Sequence, residues 1–228
     1  MIRALRCVAL AGVVGVVVAA CASGTKGART AQPTPTTARA TTSRAPASGS
    51  ATSTAPACAT TTTAAPASGG KDTNPPGDIP DNQAFVAFSP PSGGYSLKVP
   101  EGWARSDAPN GVSFTDKLNT VRVQLVAAAS APTPTTARAT EVPALAATAR
   151  CFEAGTVTTV SRQAGPAVLI TYRADAPADP VTGKVVRDDV ERYEFWRAGN
   201  EAIVTLSGPA GSDNVDPWRL ITNSFSWR

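Results

Sequence analysis

The side chains that most often carry enzyme chemistry are absent or few in this chain of 228 residues, which has no histidine and four cysteines. Serine and cysteine nucleophiles with a histidine base, H-E-x-x-H zinc sites and two-histidine iron sites all need an imidazole ring. The sequence also has no P-loop, no G-x-S-x-G motif and no dinucleotide-binding fingerprint. We therefore expect no catalytic residue, no cofactor, no metal site and a function that is not enzymatic.

The densest group of potential calcium ligands consists of four carboxylates in one short stretch, Asp188, Asp189, Glu191 and Glu194. Their spacing lacks the alternating order of an EF-hand loop. Three arginines are interleaved with them, Arg187, Arg192 and Arg197. Opposite charges that are mixed along a strand are typical of an ion-paired strand surface, so we predict such a surface here rather than a calcium site.

Cys21 is the candidate for covalent modification. Arg3 and Arg6 precede an apolar run, Val8–Ala20, that is too short for a membrane span and is typical of a secretory signal. The run ends in small residues directly before Cys21, and this arrangement resembles a bacterial lipobox. We predict a signal peptide over residues 1–20, cleavage between Ala20 and Cys21, and a lipid anchor on Cys21 that holds the protein on the extracytoplasmic face of the cell membrane.

Cys58 and Cys151 are the cysteines that remain as thiols after this processing. The expected compartment is oxidising, so a disulfide between them would fold the N-terminal tail back onto the rest of the chain. Alternatively, Cys151 is a buried, unpaired thiol at a helix end, and Cys58 is free or pairs with another molecule. The sequence leaves both possibilities open.

The four tryptophans, Trp103, Trp196, Trp218 and Trp227, could stack on a ligand or pack in the core. Each lies at a position in a strand or helix that core packing would explain, so we interpret them mainly as core residues. Trp103 and Trp196 are retained as candidates for a surface or ligand contact.

Composition divides the chain into a tail and a domain. Residues 22–70 contain no Val, Ile, Leu, Met, Phe, Trp or Tyr, and all aromatic residues lie at or beyond Phe85. A segment without core residues cannot offset the entropy of ordering it. We predict a disordered tether rich in Ala, Thr, Ser and Pro over residues 21–82, and a folded domain over residues 83–228.

Charge divides in the same way and bears on the choice of partner. From Asp72 onward the chain has 14 Lys and Arg against 17 Asp and Glu, although the whole chain carries a net charge of +4. The basic residues in excess belong to the leader and the tail. A mildly acidic domain behind a secretory signal argues against nucleic acid as a partner.

The predicted domain alternates strands with two helices. Short segments with strand-like patterns predict strands near 95–99, 112–114, 121–127, 155–162, 166–174, 185–197 and 201–207. Two stretches with helical spacing follow Thr140 and Asp216, and they predict helices that begin at about Glu141 and at Asp216–Pro217. The nine residues Pro33–Thr41 recur as Pro132–Thr140, and we expect the second copy to be a loop. The order of elements predicts an α+β domain with an antiparallel sheet of about six to seven strands and helices packed on it.

Some local motifs resemble a known family. The segments Gly94–Trp103 and Val112–Asp116, and the closing segments Leu206–Pro209 and Ser224–Trp227, are similar to PsbP-like domains, which include LpqN-type lipoproteins of actinobacteria. The resemblance implies an α-β-α sandwich around an antiparallel sheet, with a helix that ends in the last segment. It implies a binding, assembly or envelope-accessory role and transfers no catalytic residue.

Three functions therefore remain as hypotheses. The first is a non-enzymatic surface lipoprotein that binds an envelope protein or glycolipid, or assists a membrane protein complex. The second is a carrier or sensor of a small apolar or glycolipid ligand in a cavity between helix and sheet, which would need an apolar cavity of several hundred Å³. The third, a hydrolase, is disfavoured by the lack of histidine.

Overall fold

The computed structural model describes residues 58–59 and 76–228, so the expected signal peptide, the Ala20–Cys21 cleavage and lipidation site and most of the tether lie outside the described residues. The described part contains ten strands and three helices. The strands are β1 (Phe85–Phe88), β2 (Tyr95–Pro100), β3 (Ala104–Ala108), β4 (Gly111–Thr115), β5 (Thr120–Ala127), β6 (Glu153–Arg162), β7 (Gly165–Asp175), β8 (Arg187–Arg197), β9 (Asn200–Pro209) and β10 (Ser226–Trp227), and the helices are α1 (Pro134–Ala139), α2 (Glu141–Thr148) and α3 (Val215–Ser224).

Seven strands form one sheet in the spatial order β3-β4-β5-β9-β8-β7-β6, and every neighbouring pair in it is antiparallel. A second, three-stranded sheet has the order β1-β2-β10 and is also antiparallel. Most neighbours in the main sheet also follow each other in sequence, and all of these except β7 and β8 are connected by short turns. The predicted α+β class, with an antiparallel sheet and helices packed on it, is confirmed.

The main sheet buries side chains on both faces, because alternate residues of a strand point to opposite sides. One face of β5, β8 and β9 packs against β2 and α3 in the main core cluster, which includes Val123, Phe195, Val204, Leu206, Leu97, Ile221 and Phe225. The opposite face holds a smaller cluster in which Val168 and Ile170 of β7 pack against α1 and α2. Helices therefore cover both faces of the main sheet, which gives a three-layer arrangement.

The last helix begins slightly earlier than the sequence predicts. It starts at Val215 with Asn214 as its N-cap residue, instead of with Asp216 at the N-cap. Pro217 is tolerated there because the first-turn amides of a helix have no intrahelical partner. The predicted inner face is buried as expected: Trp218, Ile221, Thr222 and Phe225.

The end of α3 differs from the expectation that a helix closes the chain. The helix ends at Ser224, and Ser226–Trp227 pairs with Ser96 and Tyr95 of β2 as strand β10. The last residues therefore complete the small sheet. In the described ranges of the chain, no helix combines the length and the apolar character needed to cross a membrane.

The second copy of the nine-residue repeat is mostly helical, so the prediction of a loop over Pro132–Thr140 is wrong. Helix α1 starts with a capping box: the Thr133 hydroxyl accepts a hydrogen bond from the Thr136 amide, and the Thr136 hydroxyl accepts one from the Thr133 amide. Pro134 occupies the first turn, where its fixed φ favours a helix. Ala137 is buried against the main sheet and stabilises the helix there.

Helix α2 follows directly and is shorter than predicted. It spans Glu141–Thr148 with Thr140 at its N-cap, as the sequence indicates. Ala149 and Phe152, predicted to continue its apolar face, lie beyond its C-terminus. Phe152 instead contacts the Tyr172 ring, with the ring centres 5.2 Å apart.

Strands β1 and β3 were not predicted. Strand β3 has the sequence ARSDA and is exposed throughout, so it shows no alternation of apolar and polar residues. Its hydrogen bonding to β4, rather than burial, stabilises it. Strand β1 has four residues, which is too short for a periodic signal.

The packed structure begins before the expected boundary at residue 83. Ile79 is buried, and its amide donates a hydrogen bond of 2.8 Å to Oδ1 of Asn214. Nδ2 of Asn214 donates to the Gly77 carbonyl and to Oδ1 of Asn119, both at 3.0 Å. One buried side chain thus holds the segment before β1 against the start of α3.

Candidate functional site

The candidate site lies in a cleft of about 380 Å³ between α3 and strands β6, β7 and β8, which we call the α3 cleft. Strand residues form its floor and the start of α3 forms a wall; the lining includes Thr171, Arg173, Asp189, Glu191, Val215 and Trp218. The floor residues share one face because they are spaced by two along each strand. Thr171 lies opposite Glu191, and Arg173 lies opposite Asp189.

An ion pair crosses the floor of the α3 cleft. Nε of Arg173 donates a hydrogen bond of 2.7 Å to Oδ1 of Asp189. The other carboxylate oxygen, Oδ2, accepts from the Gly211 amide at 3.0 Å. The bond and the charge of Asp189 raise the pKa of Arg173 above its usual value. Both side chains are partly exposed, so the pair contributes little stability and mainly fixes two charges in place.

A hydrogen-bonded chain extends from the cleft to the underside of α3. The Tyr193 hydroxyl donates to Oε2 of Glu191 at 2.7 Å and accepts from Nη2 of Arg162 at 2.8 Å. Nε of Arg162 donates to the Thr222 hydroxyl of α3 at 3.0 Å. Burial, and then the bond to Glu191, raise the pKa of Tyr193 to about 12. The hydroxyl therefore stays protonated and continues to donate to Glu191.

The α3 cleft combines hydrogen-bonding groups with exposed apolar surface. Carboxylates, a guanidinium and the Thr171 hydroxyl line its floor. Val215 is 67% exposed at its edge, beside Trp218. Such a mixture is typical of a surface that recognises a polar ligand or a protein segment. Across residues 58–59 and 76–228, no group of three or more acidic or cysteine side chains is arranged to hold a metal ion.

Sequence reasoning identified only part of the α3 cleft. Asp189 and Glu191 were singled out as ion-paired residues and Trp218 as a core residue, whereas Thr171, Arg173 and Val215 were missed. The available signal was the polar pair Thr171 and Arg173 in a strand whose other face is apolar. The sequence did not indicate that α3 would leave Thr171 and Arg173 of β7 partly uncovered.

The four acidic residues on β8 lie on both faces of the strand. Asp189 and Glu191 line the α3 cleft, whereas Asp188 and Glu194 point towards the face covered by α1 and α2. Asp188 and Glu194 are 7% and 1% exposed, so the predicted surface location is wrong for these two, although Glu194 does pair with Arg192 as predicted. Successive side chains of a strand point to opposite faces of the sheet, so residues that are close in sequence along β8 lie in different environments.

The environments of the two buried carboxyls raise their pKa values. Burial, followed by the charges of Asp189 and Asp175, raises the pKa of Asp188 to about 7. Burial also raises the pKa of Glu194, and the adjacent Arg192 guanidinium partly opposes this effect. One oxygen of each carboxyl, Oδ1 of Asp188 and Oε2 of Glu194, has no hydrogen-bond partner in the described structure.

Cys58 and Cys151 form a disulfide in the structure, with their Cα atoms 5.6 Å apart. The neighbouring Ala59 amide donates to Oδ2 of Asp175 at 3.1 Å. The buried Asp175 carboxylate also accepts from Arg150 and Arg187. Residues 58–59 are therefore attached to the domain by a covalent bond and a hydrogen bond. Of the two alternatives that the sequence left open, the structure has the disulfide.

Three of the four tryptophans belong to or pack against the main core, and the fourth lies on the opposite face of the main sheet. Trp218 is buried in the main core and reaches the α3 cleft. Trp103 is partly buried against the same core, and Trp227 lies 5.3 Å from the Phe225 ring. Trp196 is partly buried on the opposite face, where its Nε1 donates to the Ala128 carbonyl at 2.9 Å.

Three further clefts, of about 410, 290 and 150 Å³, lie on the surface of the described residues. Neither Trp103 nor Trp196 lines any of the four clefts. Towards its C-terminal end, α3 is packed against the main sheet by stacked aromatic rings, among them Phe195 and Phe225 with their centres 4.5 Å apart. These clefts are open and partly polar, unlike the apolar cavity that a lipid carrier requires.

No known family profile matches the sequence, and no curated protein matches it significantly. The solved structures that are similar in part include the following three. CyanoP, the cyanobacterial PsbP of Synechocystis, is 17% identical with a TM-score of 0.46, over 64% of this chain and 94% of that one. LpqN of Mycobacterium tuberculosis, described as involved in cell envelope biogenesis, is 12% identical with a TM-score of 0.40, over 64% and 92% of the two chains.

The third is a protein of Bacteroides thetaiotaomicron, with 12% identity and a TM-score of 0.43 over 62% of this chain. This chain spans about half the length of that protein, 48% of it. PsbP and LpqN are the two kinds of protein that the sequence motifs resemble. No activity, ligand or partner is transferred to this chain from similarities of this size.

Proposed function

We propose that the protein is an extracytoplasmic lipoprotein, anchored in the cell membrane through Cys21, and that its domain is a non-enzymatic binding or accessory module. Its partner would be a component of the cell envelope or a membrane protein complex. The observation that carries the proposal is the Cys58–Cys151 disulfide, because stable disulfides are typical of exported proteins. The signal and lipobox pattern before Cys21 supports the same location.

The α3 cleft is the contact surface that we propose for the partner. Its fixed charges and exposed Val215 support recognition of a polar or mixed surface. The polar groups on the floor of the α3 cleft, and the packed core beside it, support a binding module over a carrier of apolar ligands. The proposal thus has two separate parts, the anchor at Cys21 and the contact at the α3 cleft, and each has its own test.

The anchor is tested by replacing Cys21 with serine in the full chain, expressed in a bacterium that processes lipoproteins. We expect the wild-type chain to fractionate with membranes and to incorporate labelled fatty acid. The variant is expected to lose both properties, because the hydroxyl does not replace the thiol as the site of lipid attachment. Cys7→Ser, a change of the same kind within the leader, is the matched control. Membrane association that survives Cys21→Ser without labelling would contradict the proposed anchor.

The contact surface is tested by photo-crosslinking in the native envelope. A photoreactive amino acid at Val215 places the reactive group at the edge of the α3 cleft, where the side chain is 67% exposed. The same substitution at Val181, which is 90% exposed, serves as the control. We expect a discrete crosslinked species from position 215 and none of the same mass from position 181. Identical products from both positions, or none from position 215, would refute a partner at the α3 cleft.

A further inference from the structure

A second pocket, of about 150 Å³, lies near the opposite face of the main sheet from the α3 cleft. Strands β8 and β9 provide Glu194 and Glu201, and α2 provides Glu141. We call it the glutamate pocket after these three residues. The repeated segment Pro132–Thr140 supplies much of the remaining lining, through residues such as Thr136. The helical conformation of that segment is therefore needed to form the pocket.

Negative charge is in excess at the glutamate pocket. Arg192 donates from Nε to Oε1 of Glu194 at 2.9 Å and from Nη2 to Oε2 of Glu141 at 3.1 Å. One guanidinium therefore serves two carboxylates, and Glu201 is a third. The arginine of α1, Arg138, donates to the carbonyls of Pro134 and Val157, away from the three carboxylates.

Other charged and titratable groups on this side lie farther along the sheet. Arg122 of β5 points to the same face and, together with Arg192, lowers the pKa of Tyr172, although burial has the larger effect and raises it. The residue opposite Glu201 in the β8–β9 pairing is Trp196, which is uncharged and donates its Nε1 hydrogen bond to the Ala128 carbonyl.

Glu194 has an unused hydrogen-bonding atom. Its side chain is fully buried, and its Oε2 has no partner within the described structure. A buried polar atom without a partner costs about 1–3 kcal/mol, so folded proteins leave few such atoms without a hydrogen bond. Glu194 is one of the residues that line the glutamate pocket.

Glu201 adds a charge that depends on pH. Burial, the charge of Glu194 and the charge of Glu141 raise its pKa to about 6, although Arg192 opposes them. The carboxyl is therefore ionised at neutral pH and becomes protonated as the pH falls through about 6. The pocket carries most negative charge above that value.

We propose that the glutamate pocket binds a primary ammonium group. An ammonium is a compact charge with three N–H donors, so one carboxylate of the pocket together with neighbouring oxygen acceptors can bind it, without several carboxylates around one centre. The volume of about 150 Å³ accommodates a small alkylammonium or the end of a lysine side chain. A divalent metal is a poorer fit, because no three acidic groups of the described residues are arranged around a common centre. This site is independent of the proposed contact at the α3 cleft.

The test is an NMR titration of the full chain, solubilised in detergent, with methylammonium and with a lysine derivative blocked at both termini. Tetramethylammonium, which has the same charge but no N–H donor, is the control ligand. At pH 7.5 we expect shifts of the Thr136, Thr140 and Glu201 amides with both primary amines and not with the control. Tighter binding of the lysine derivative points to a protein lysine as the natural source, and tighter binding of methylammonium points to a free amine.

Substitutions in the glutamate pocket test whether the amines bind there. Glu201→Gln is expected to weaken amine binding about tenfold, because a bond to a charged acceptor is lost. Glu194→Gln is the second variant, in case either change perturbs folding, and Glu101→Gln at an exposed turn is the matched control. Lowering the pH of the wild-type protein from 7.5 to 5 should weaken binding in the same direction. Equal shifts with tetramethylammonium, or affinity unchanged in both pocket variants, would overturn the proposal.

Discussion

Replacing Phe225 with alanine is expected to lower the free energy of unfolding by about 3–5 kcal/mol, the range typical of a large buried side chain. Phe225 is fully buried, and its ring stacks on Phe195 with the centres 4.5 Å apart. It also lies 5.9 Å from Tyr95 and 5.3 Å from Trp227. Its loss would leave a cavity where α3, the small sheet and the main sheet meet. Urea unfolding followed by tryptophan fluorescence measures the change.

Leu220→Ala on α3 is the matched control for Phe225→Ala. Leu220 is 39% exposed, so its truncation is expected to cost about 0.5 kcal/mol or less. Similar losses from both variants would show that the aromatic cluster is not the centre of the core. A smaller m-value in Phe225→Ala would indicate a change in the denatured or native ensemble rather than a simple cavity.

Removing the disulfide is expected to have the second largest effect, a loss of about 2–4 kcal/mol. Cys58 and Cys151 are separated by 93 positions, so the bond closes a long loop in the unfolded chain. In the chain-entropy account, closing such a loop destabilises the unfolded state and thereby favours folding. Urea unfolding with and without a reductant measures the difference.

Single and double cysteine variants separate this effect from local packing. Cys58→Ser, Cys151→Ser and the double variant should lose nearly the same stability, because each removes the same bond. Reduction should then leave all three variants unchanged. Losses that add in the double variant would mean that the two side chains contribute through separate contacts. In that case the stabilisation would not come from the cross-link.

The parts of the fold that the sequence predicted are those in which a local pattern and the tertiary packing agree. Val121, Val123 and Leu125 alternate with polar residues, and this alternation by itself indicates β5. The same holds for Trp218 and Ile221, whose helical spacing identifies the buried face of α3. In both elements one face is apolar and the other polar, so burial follows directly from the period.

The parts that were missed depend on contacts between segments that are distant in sequence. Thr133 and Thr136 form a capping box in a segment whose composition matches the N-terminal tail, so composition alone predicted a loop. The side chain of Asn214 bonds to Gly77, Ile79 and Asn119, and no local pattern indicates those partners. Composition therefore predicted that the domain begins near residue 83, whereas Ile79, before that position, is already packed against the domain.

The candidate sites were predicted least well, because each combines residues from several elements. Arg173 and Asp189 are adjacent only because β7 pairs with β8 in one register. Glu141 and Glu194 share Arg192 only because α2 packs on that face of β8. The sequence identified Asp189 and Glu194 as charged strand residues, but their different roles depend on which face each one occupies.

The disulfide also determines where mechanical load enters the domain. If the protein is anchored at Cys21 as proposed, the segment from Cys21 to Cys58 links the membrane to the domain, and it can span at most about 130 Å. At Cys58 the disulfide joins this segment directly to Cys151. Tension from the membrane therefore acts at the junction between α2 and the edge strand β6. The segment around Ile79 and the strand β1 carry none of it, because the cross-link bypasses them.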